Sequence, residues 1–241
     1  MRAYHVAGFL ALFFWQAAPA RMESTLGGRF RLALAGATDQ WEDYHAYYDC
    51  NGNLTSEESS AIGMQSVGAR ADMFLGTGDS RLTVVAGRAA SDLEGLGHGL
   101  FWGVEAVWEG PSLGAGVGYR DAGDAVWEGY RNALAFYLRY GKLDKAHVRM
   151  EVRPMSETPS LAGEARVGLG FGQGRRRQVS GFVGLVLGPT GCSENCDVAA
   201  FGDFGFPLAP SVDLLLRGVY GPGHITPIWG VGAGLRANWG R

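Results

Sequence analysis

From Arg29 onward, hydrophobic and polar residues alternate with a period of two, the spacing that sends successive side chains to opposite faces of a β-strand. Between His147 and Arg153, Val148, Met150 and Val152 share one face, while His147, Arg149, Glu151 and Arg153 share the other. Ser112 to Arg120 sets Leu113, Ala115, Val117 and Tyr119 against Gly114, Gly116, Gly118 and Arg120. Glu164 to Phe171 opposes Ala165, Val167, Leu169 and Phe171 to Glu164, Arg166, Gly168 and Gly170. Followed along the chain, the pattern predicts strands at 29–38, 61–75, 81–91, 98–109, 112–121, 131–140, 147–153, 164–171, 178–188, 198–206, 212–220 and 228–239. Segments 76–80, 110–111, 141–146, 172–177 and 207–211 are short and carry the Gly, Pro, Asp or Lys of turns, whereas 39–60, 122–130, 154–163 and 189–197 are longer. An even strand count with short turns at one end and longer loops at the other predicts an all-β fold, a single antiparallel transmembrane barrel of about 12 strands. A barrel of about 8–10 strands and a soluble β-sandwich are the alternatives, since each also buries one face of every strand.

The last strand separates oil from water most cleanly. Trp229, Val231, Ala233, Leu235, Ala237 and Trp239 lie on one face, against Gly230, Gly232, Gly234, Arg236 and Asn238. Ten residues at about 3.3 Å span roughly 33 Å, which a tilt of about 40° projects to about 25 Å, the height of a lipid-facing band. Trp102, Trp108, Tyr119, Tyr140, Tyr220, Trp229 and Trp239 fall on apolar faces, most of them near strand ends, where an amphipathic ring bridges hydrocarbon and water. These are the expected membrane-interface aromatics.

The opposite faces collect Arg31, Arg70, Arg120, Arg139, Arg149, Arg153, Arg166, Arg217 and Arg236 together with Asp72, Glu105, Glu151, Glu164, Asp203 and Asp213. Lysine is absent from this set. Arginine favours planar, bidentate pairing with carboxylates, so the mixture points to paired charges in a confined lumen rather than a solvated sheet surface. The expected lumen-lining residues are Arg70, Asp72, Glu105, Arg120, Arg139, Arg149, Glu151, Arg153, Glu164, Arg166, Asp213, Arg217 and Arg236.

Composition narrows the class. The 241 residues, 46% hydrophobic and 19% charged, suit one folded domain, and 39 glycines without a Gly-x-y period exclude collagen. A net charge of -3 gives no footprint for nucleic acid. Arg2, the apolar run from Val6 to Trp15 and Ala18-Pro19-Ala20 read as a cleaved signal peptide over 1–20, followed by a short segment at 21–28 and the barrel at 29–241. With this leader, the alternating strands, the Trp-rimmed final strand and the Gly/Arg polar face, the chain resembles Gram-negative outer-membrane β-barrel proteins. The resemblance implies an outer-membrane location, contact with outer-membrane lipid and lipopolysaccharide, and a role as a passive small-solute pore or envelope structural protein. A soluble exported ligand-binding sandwich and a lipid-modifying barrel enzyme are the other classes. If a pore exists, the arginine excess predicts a mild preference for anions.

No site of known chemistry emerges. Gly114, Gly116 and Gly118, Gly168, Gly170 and Gly172, and Gly230, Gly232 and Gly234 imitate phosphate loops but alternate with apolar residues inside strands, so close packing on the lumen side is the simpler reading. His98 and His147 begin strands without a Ser-centred motif, and neither a catalytic residue, a cofactor nor a metal is expected. In an oxidising compartment Cys192 and Cys196 are expected to form a small disulfide, leaving Cys50 over, although Cys50 pairs with either if their loops meet. The segment 39–60, acidic and rich in Trp and Tyr, reads as the most distinctive external loop.

Overall fold

A computed structural model describes residues 29–75, 78–91, 98–121, 132–152, 165–173, 178–188, 197–223 and 227–240. These form twelve strands: β1 (Phe30–Tyr48), β2 (Leu54–Phe74), β3 (Arg81–Ser91), β4 (His98–Glu109), β5 (Leu113–Asp121), β6 (Asn132–Tyr140), β7 (His147–Val152), β8 (Ala165–Phe171), β9 (Ser180–Gly188), β10 (Asp197–Ala209), β11 (Val212–Gly221) and β12 (Ile228–Trp239). Each pairs antiparallel with its neighbours in sequence, and β1 pairs with β12 to close the barrel. The seam runs from Phe30↔Trp239 to Gln40↔Trp229. Closure removes every lateral edge from the wall.

Burial runs opposite to that of a water-soluble sandwich. The arginine-bearing face is turned inward and hidden, with Arg139 0% and Glu151 2% exposed, whereas Leu134 on the apolar face is 65% exposed. A sandwich would hide its apolar faces. Closed topology and inverted burial together rule out that alternative, and twelve strands replace the smaller barrels considered above.

The β2–β3, β4–β5, β6–β7, β8–β9 and β10–β11 connections lie at the end marked by Phe30 and Trp239. Leu75 N–H donates to the Ser80 carbonyl at 2.8 Å, and Gly110 N–H to that of Leu113 at 2.8 Å. Gly141 takes φ +114°, a backbone conformation open to glycine and costly for other residues. At the β10–β11 connection the strand runs on to Ala209, past the expected end at 206, with a register shift between Pro207 and Ala209. Proline lacks an N–H for the ladder and is confined to such irregularities.

The largest departure from the sequence expectation is at 39–60. It is no loop: β1 continues to Tyr48, β2 begins at Leu54, and only 49–53 form the turn. The expected signal segment and the connections at 122–130, 154–163 and most of 189–197 lie outside the described residues.

Candidate functional site: the charged lumen

The register sets the inner face. Around β1, β2 and β3, Arg31 stands opposite Asp72, which stands opposite Thr83. Asp72 Oδ1 accepts from Arg70 Nε at 2.9 Å and from Thr83 Oγ1 at 2.7 Å, and Arg31 lies 3.5 Å from Oδ2. Arg31 Nε also donates to Asn238 Oδ1 across the seam at 3.1 Å. This carboxylate is therefore hydrogen-bonded twice at Oδ1 and ion-paired at Oδ2, with partners from three strands, the pairing under which a buried charge is tolerated.

Glu109, at the foot of β4, holds a second cluster. Its Oε2 accepts from Arg139 Nε at 2.8 Å, its Oε1 from the Tyr137 hydroxyl at 2.7 Å, and Arg81 lies 3.5 Å away. Arg139 also donates to the carbonyls of Gly110 and Gly141, which ties the turns of this end to the interior. Glu109 belongs to β4 and Arg139 to β6, so the pair must cross β5. It does so over Gly114, where a Cβ would stand 2.2 Å from the carboxylate oxygen and 3.1 Å from Arg139 Nε. Asp39 on β1 reaches toward Arg217 on β11 in the same way, at 3.6 Å, passing Gly230 of β12, where a Cβ would meet Asp39 Oδ1 at 2.0 Å. Gly114 and Gly230 thus act as gaps through which charged side chains bridge alternate strands.

Three further pairs complete the layer. Arg236 and Asp213 are directly opposite in register and meet at 2.7 Å, and Arg166 of β8 reaches Asp203 of β10 at 2.8 Å. Arg149 pairs with Glu151 on the same strand. The guanidinium groups also stack on rings: Arg149 over Phe182 at 4.6 Å, Arg166 over Phe201 at 5.0 Å and Arg120 over Phe101 at 5.5 Å. Such stacking suits arginine because its planar cation is weakly hydrated. Glu105 differs. It is 3% exposed, leans over Gly118, and neither oxygen has a hydrogen-bond partner among the described residues.

Of the expected lumen residues, Arg70, Asp72, Glu105, Arg120, Arg139, Arg149, Glu151, Arg166, Arg217 and Arg236 are buried on the inner face and Asp213 is half-buried there; Arg153 and Glu164 lie outside the described residues. Asp39, Arg81, Thr83, Glu109 and Tyr137 join the network without having been singled out. Continuing the period from Arg31 through Ala37 reaches Asp39, and continuing it from Glu105 reaches Glu109. The interior is less polar than expected, because Phe182, Val186, Phe201, Val219 and Ile228 form a buried apolar cluster, with Phe182 and Phe201 edge to face at 4.7 Å. A cavity of about 20 Å3, enough for one water, lies among Arg149, Ser180, Phe182, Asp203 and Leu215.

The expected interface aromatics, Trp102, Trp108, Tyr119, Tyr140, Tyr220, Trp229 and Trp239, all point outward and are exposed. Trp102 packs on Tyr119 and Phe30 on Trp239, each with ring centroids 5.7 Å apart. His147 is buried on the inner face, with Nδ1 3.0 Å from the Lys145 carbonyl, and its ring fills the space over Gly170. The His98 side chain, Cys192 and Cys196 lie outside what the structure describes; Cys50 is an exposed free thiol at the β1–β2 turn.

No family model matches the chain, and no curated protein matches it. Among solved structures it is similar to the β domain of the Bordetella autotransporter BrkA, with 16% identity over 87% of this chain and 98% of that one and a TM-score of 0.43. It is also similar to a mutant of the Rh. blastica porin, with 8% identity over 88% of this chain and 98% of that one and a TM-score of 0.33.

Proposed function

We propose that the chain is an outer-membrane β-barrel whose lumen rests closed, an envelope structural protein rather than a freely open pore. Its outward face supports the membrane assignment: an apolar belt is bounded by Phe30, Trp108, Tyr140 and Trp239 toward the tight turns, and by Trp102, Tyr119, Tyr220 and Trp229 toward the other end. Outer-membrane lipid would meet that belt, and lipopolysaccharide the end bearing the β1–β2 ribbon.

The observation that carries the closed state is the burial of charge inside the wall. Side chains fringing an aqueous channel are reached by water, yet Asp72, Arg120, Arg139 and Glu151 are among the most completely buried groups in the molecule. Twelve strands fall between the small barrels that side chains fill and the wide ones that leave a channel. Arginines bridging alternate strands, and the Phe182–Phe201 cluster, favour the filled case. No reaction is assigned to the chain.

Planar-bilayer recording of the refolded protein tests this reading. The wild type is expected to give no steady conductance at low voltage, while the double variant Glu109→Ala/Arg139→Ala, which empties the β4–β6 bridge, is expected to open. Described inner-face groups are Arg31, Arg70, Arg81, Arg120, Arg139, Arg149, Arg166, Arg217 and Arg236 against Asp39, Asp72, Glu105, Glu109, Glu151, Asp203 and Asp213, an excess of two positive charges that the double variant preserves. Its openings should therefore favour anions. Ohmic conductance by the wild type would overturn the closed state in favour of a passive pore.

A further inference from the structure

Beyond the barrel wall, β1 and β2 continue as a two-stranded ribbon. The pairing of β1 with β12 stops at Gln40 and that of β2 with β3 at Met64, yet β1 and β2 stay in register from Trp41↔Ile62 to Tyr47↔Ser56. At about 3.3 Å per residue this extends the hairpin by roughly 25 Å. Its turn is braced: Asp49 Oδ1 accepts the N–H groups of Asn51 and Asn53, each at 2.8 Å, and Oδ2 accepts from Asn53 Nδ2 at 2.9 Å. Thr55 Oγ1 donates to the Tyr47 carbonyl at 2.8 Å, and Gly52 takes φ +83°.

The ribbon presents two features together. Among the described residues, neither of its strands forms a ladder with a strand other than its hairpin partner, leaving the outer side of each as a ladder edge within the described structure. Between Arg31 and Arg70 the sequence contains no lysine or arginine but has Glu42, Asp43, Asp49, Glu57 and Glu58, besides Asp39, which is turned inward toward Arg217. Tyr47, Tyr48 and Leu54 are exposed beside these acids.

We propose that this ribbon is a docking element for an extended, basic peptide segment that adds as a third strand along one of its edges. Strand addition supplies affinity through main-chain hydrogen bonds, and side chains supply selectivity. Charge decides the partner. Pairing two copies would bring five acids of one ribbon against five of the other, the means by which exposed edges are protected from self-association. A strand carrying lysine or arginine reverses that term and is steered to the ribbon.

The test uses the full refolded chain in detergent and three synthetic peptides: an alternating Lys-Val peptide, the same peptide N-methylated at alternate residues, and a Glu-Val counterpart. The Lys-Val peptide is expected to bind saturably and to slow amide exchange within 41–48 or 54–62. N-methylation keeps the charge but removes the ladder donors, so binding should weaken by roughly ten-fold or more, and the Glu-Val peptide should not bind. Replacing 44–59 by Asn-Gly, a two-residue hairpin turn, should abolish binding while the variant still folds as a barrel, read from its β-sheet circular dichroism in detergent. If that variant does not fold, Glu57→Gln/Glu58→Gln in the intact ribbon takes its place and should weaken binding several-fold. Equal binding by the N-methylated peptide, undiminished binding by the shortened or doubly neutralised ribbon, or protection outside the ribbon would overturn the proposal.

Discussion

Gly114→Ala separates two effects of opposite sign. A glycine in a strand interior costs stability because it is the most flexible residue in the unfolded chain, so alanine should gain about 0.5–1 kcal/mol where there is room. At Gly114 there is none: the added methyl would stand 2.2 Å from Glu109 Oε2, 3.0 Å from its Cδ and 3.1 Å from Arg139 Nε. Glu109 must withdraw, losing the 2.8 Å bond from Arg139 and the 2.7 Å bond from Tyr137. A hydrogen bond between charged groups contributes about 1.5–3 kcal/mol and one from a hydroxyl about 1. Arg139 keeps the carbonyls of Gly110 and Gly141, which limits the damage. The expected net effect is a loss of about 2–3 kcal/mol.

Gly218→Ala is the control, because a Cβ there meets nothing within 4 Å, and it should gain about 0.5–1 kcal/mol. Reversible urea unfolding in lipid vesicles, followed by tryptophan fluorescence, measures both. A double-mutant cycle sharpens the result, since on a Glu109→Ala background the Gly114→Ala cost should shrink to near zero. If Gly114→Ala and Gly218→Ala shift stability alike, or the Gly114 cost persists without Glu109, the glycine is not holding a passage for that ion pair.

Two further outcomes follow from the same interior and from the ribbon. Glu105→Gln should leave stability unchanged or raise it by about 1 kcal/mol, because it removes a buried charge without a hydrogen-bond partner, while Glu109→Gln should cost about 2 kcal/mol; urea midpoints in the reverse order would contradict the partner assignments. The side-chain bond from Asn53, followed by backbone N–H bonds, holds the Asp49 carboxyl below its ordinary value of 3.8. Its contribution to the turn is therefore present above 3.8 and fades as pH falls through the lower folded value, so amide exchange at 51–53 should accelerate in acid relative to the intrinsic rate, and Asp49→Asn should abolish that extra dependence.

Strand positions were legible wherever one face meets an apolar medium and the other a polar one. In β5, β7 and β12 the two-residue period and the bounding Gly and Pro leave little freedom, and the expected limits lie within a residue of those observed. The ribbon was hidden because its sequence is polar at successive positions: 42–48 and 55–60 show no alternation of oil and water, so their pairing follows from continuation of the hairpin rather than from a periodic pattern. The apolar part of the lumen escaped for the opposite reason. In β9 to β11, Phe182, Val186, Phe201 and Val219 face inward while Val183, Leu185, Phe204 and Leu216 take alternate positions, so both faces are apolar and periodicity is silent. Pair geometry needs a third dimension. Nothing in the spacing of Glu109, Gly114 and Arg139 announces that the first and last meet over the middle one.

The seam between β1 and β12 carries a consequence for how the molecule is made. Eleven of the twelve strand pairings join neighbours in sequence and can form locally as hairpins, whereas the twelfth unites the two ends of a chain of about two hundred residues. Loop-closure entropy rises with the logarithm of the distance spanned, so this pairing costs about 2–3 kcal/mol more than a typical ten-residue turn. An unclosed intermediate would expose two long edges at the flanks of a curved sheet, the arrangement most open to capture by other chains. The contacts that cross or flank the seam, Arg31 with Asn238 and Asp39 with Arg217, form only when the ends meet, placing part of the charged interior at the final step of assembly.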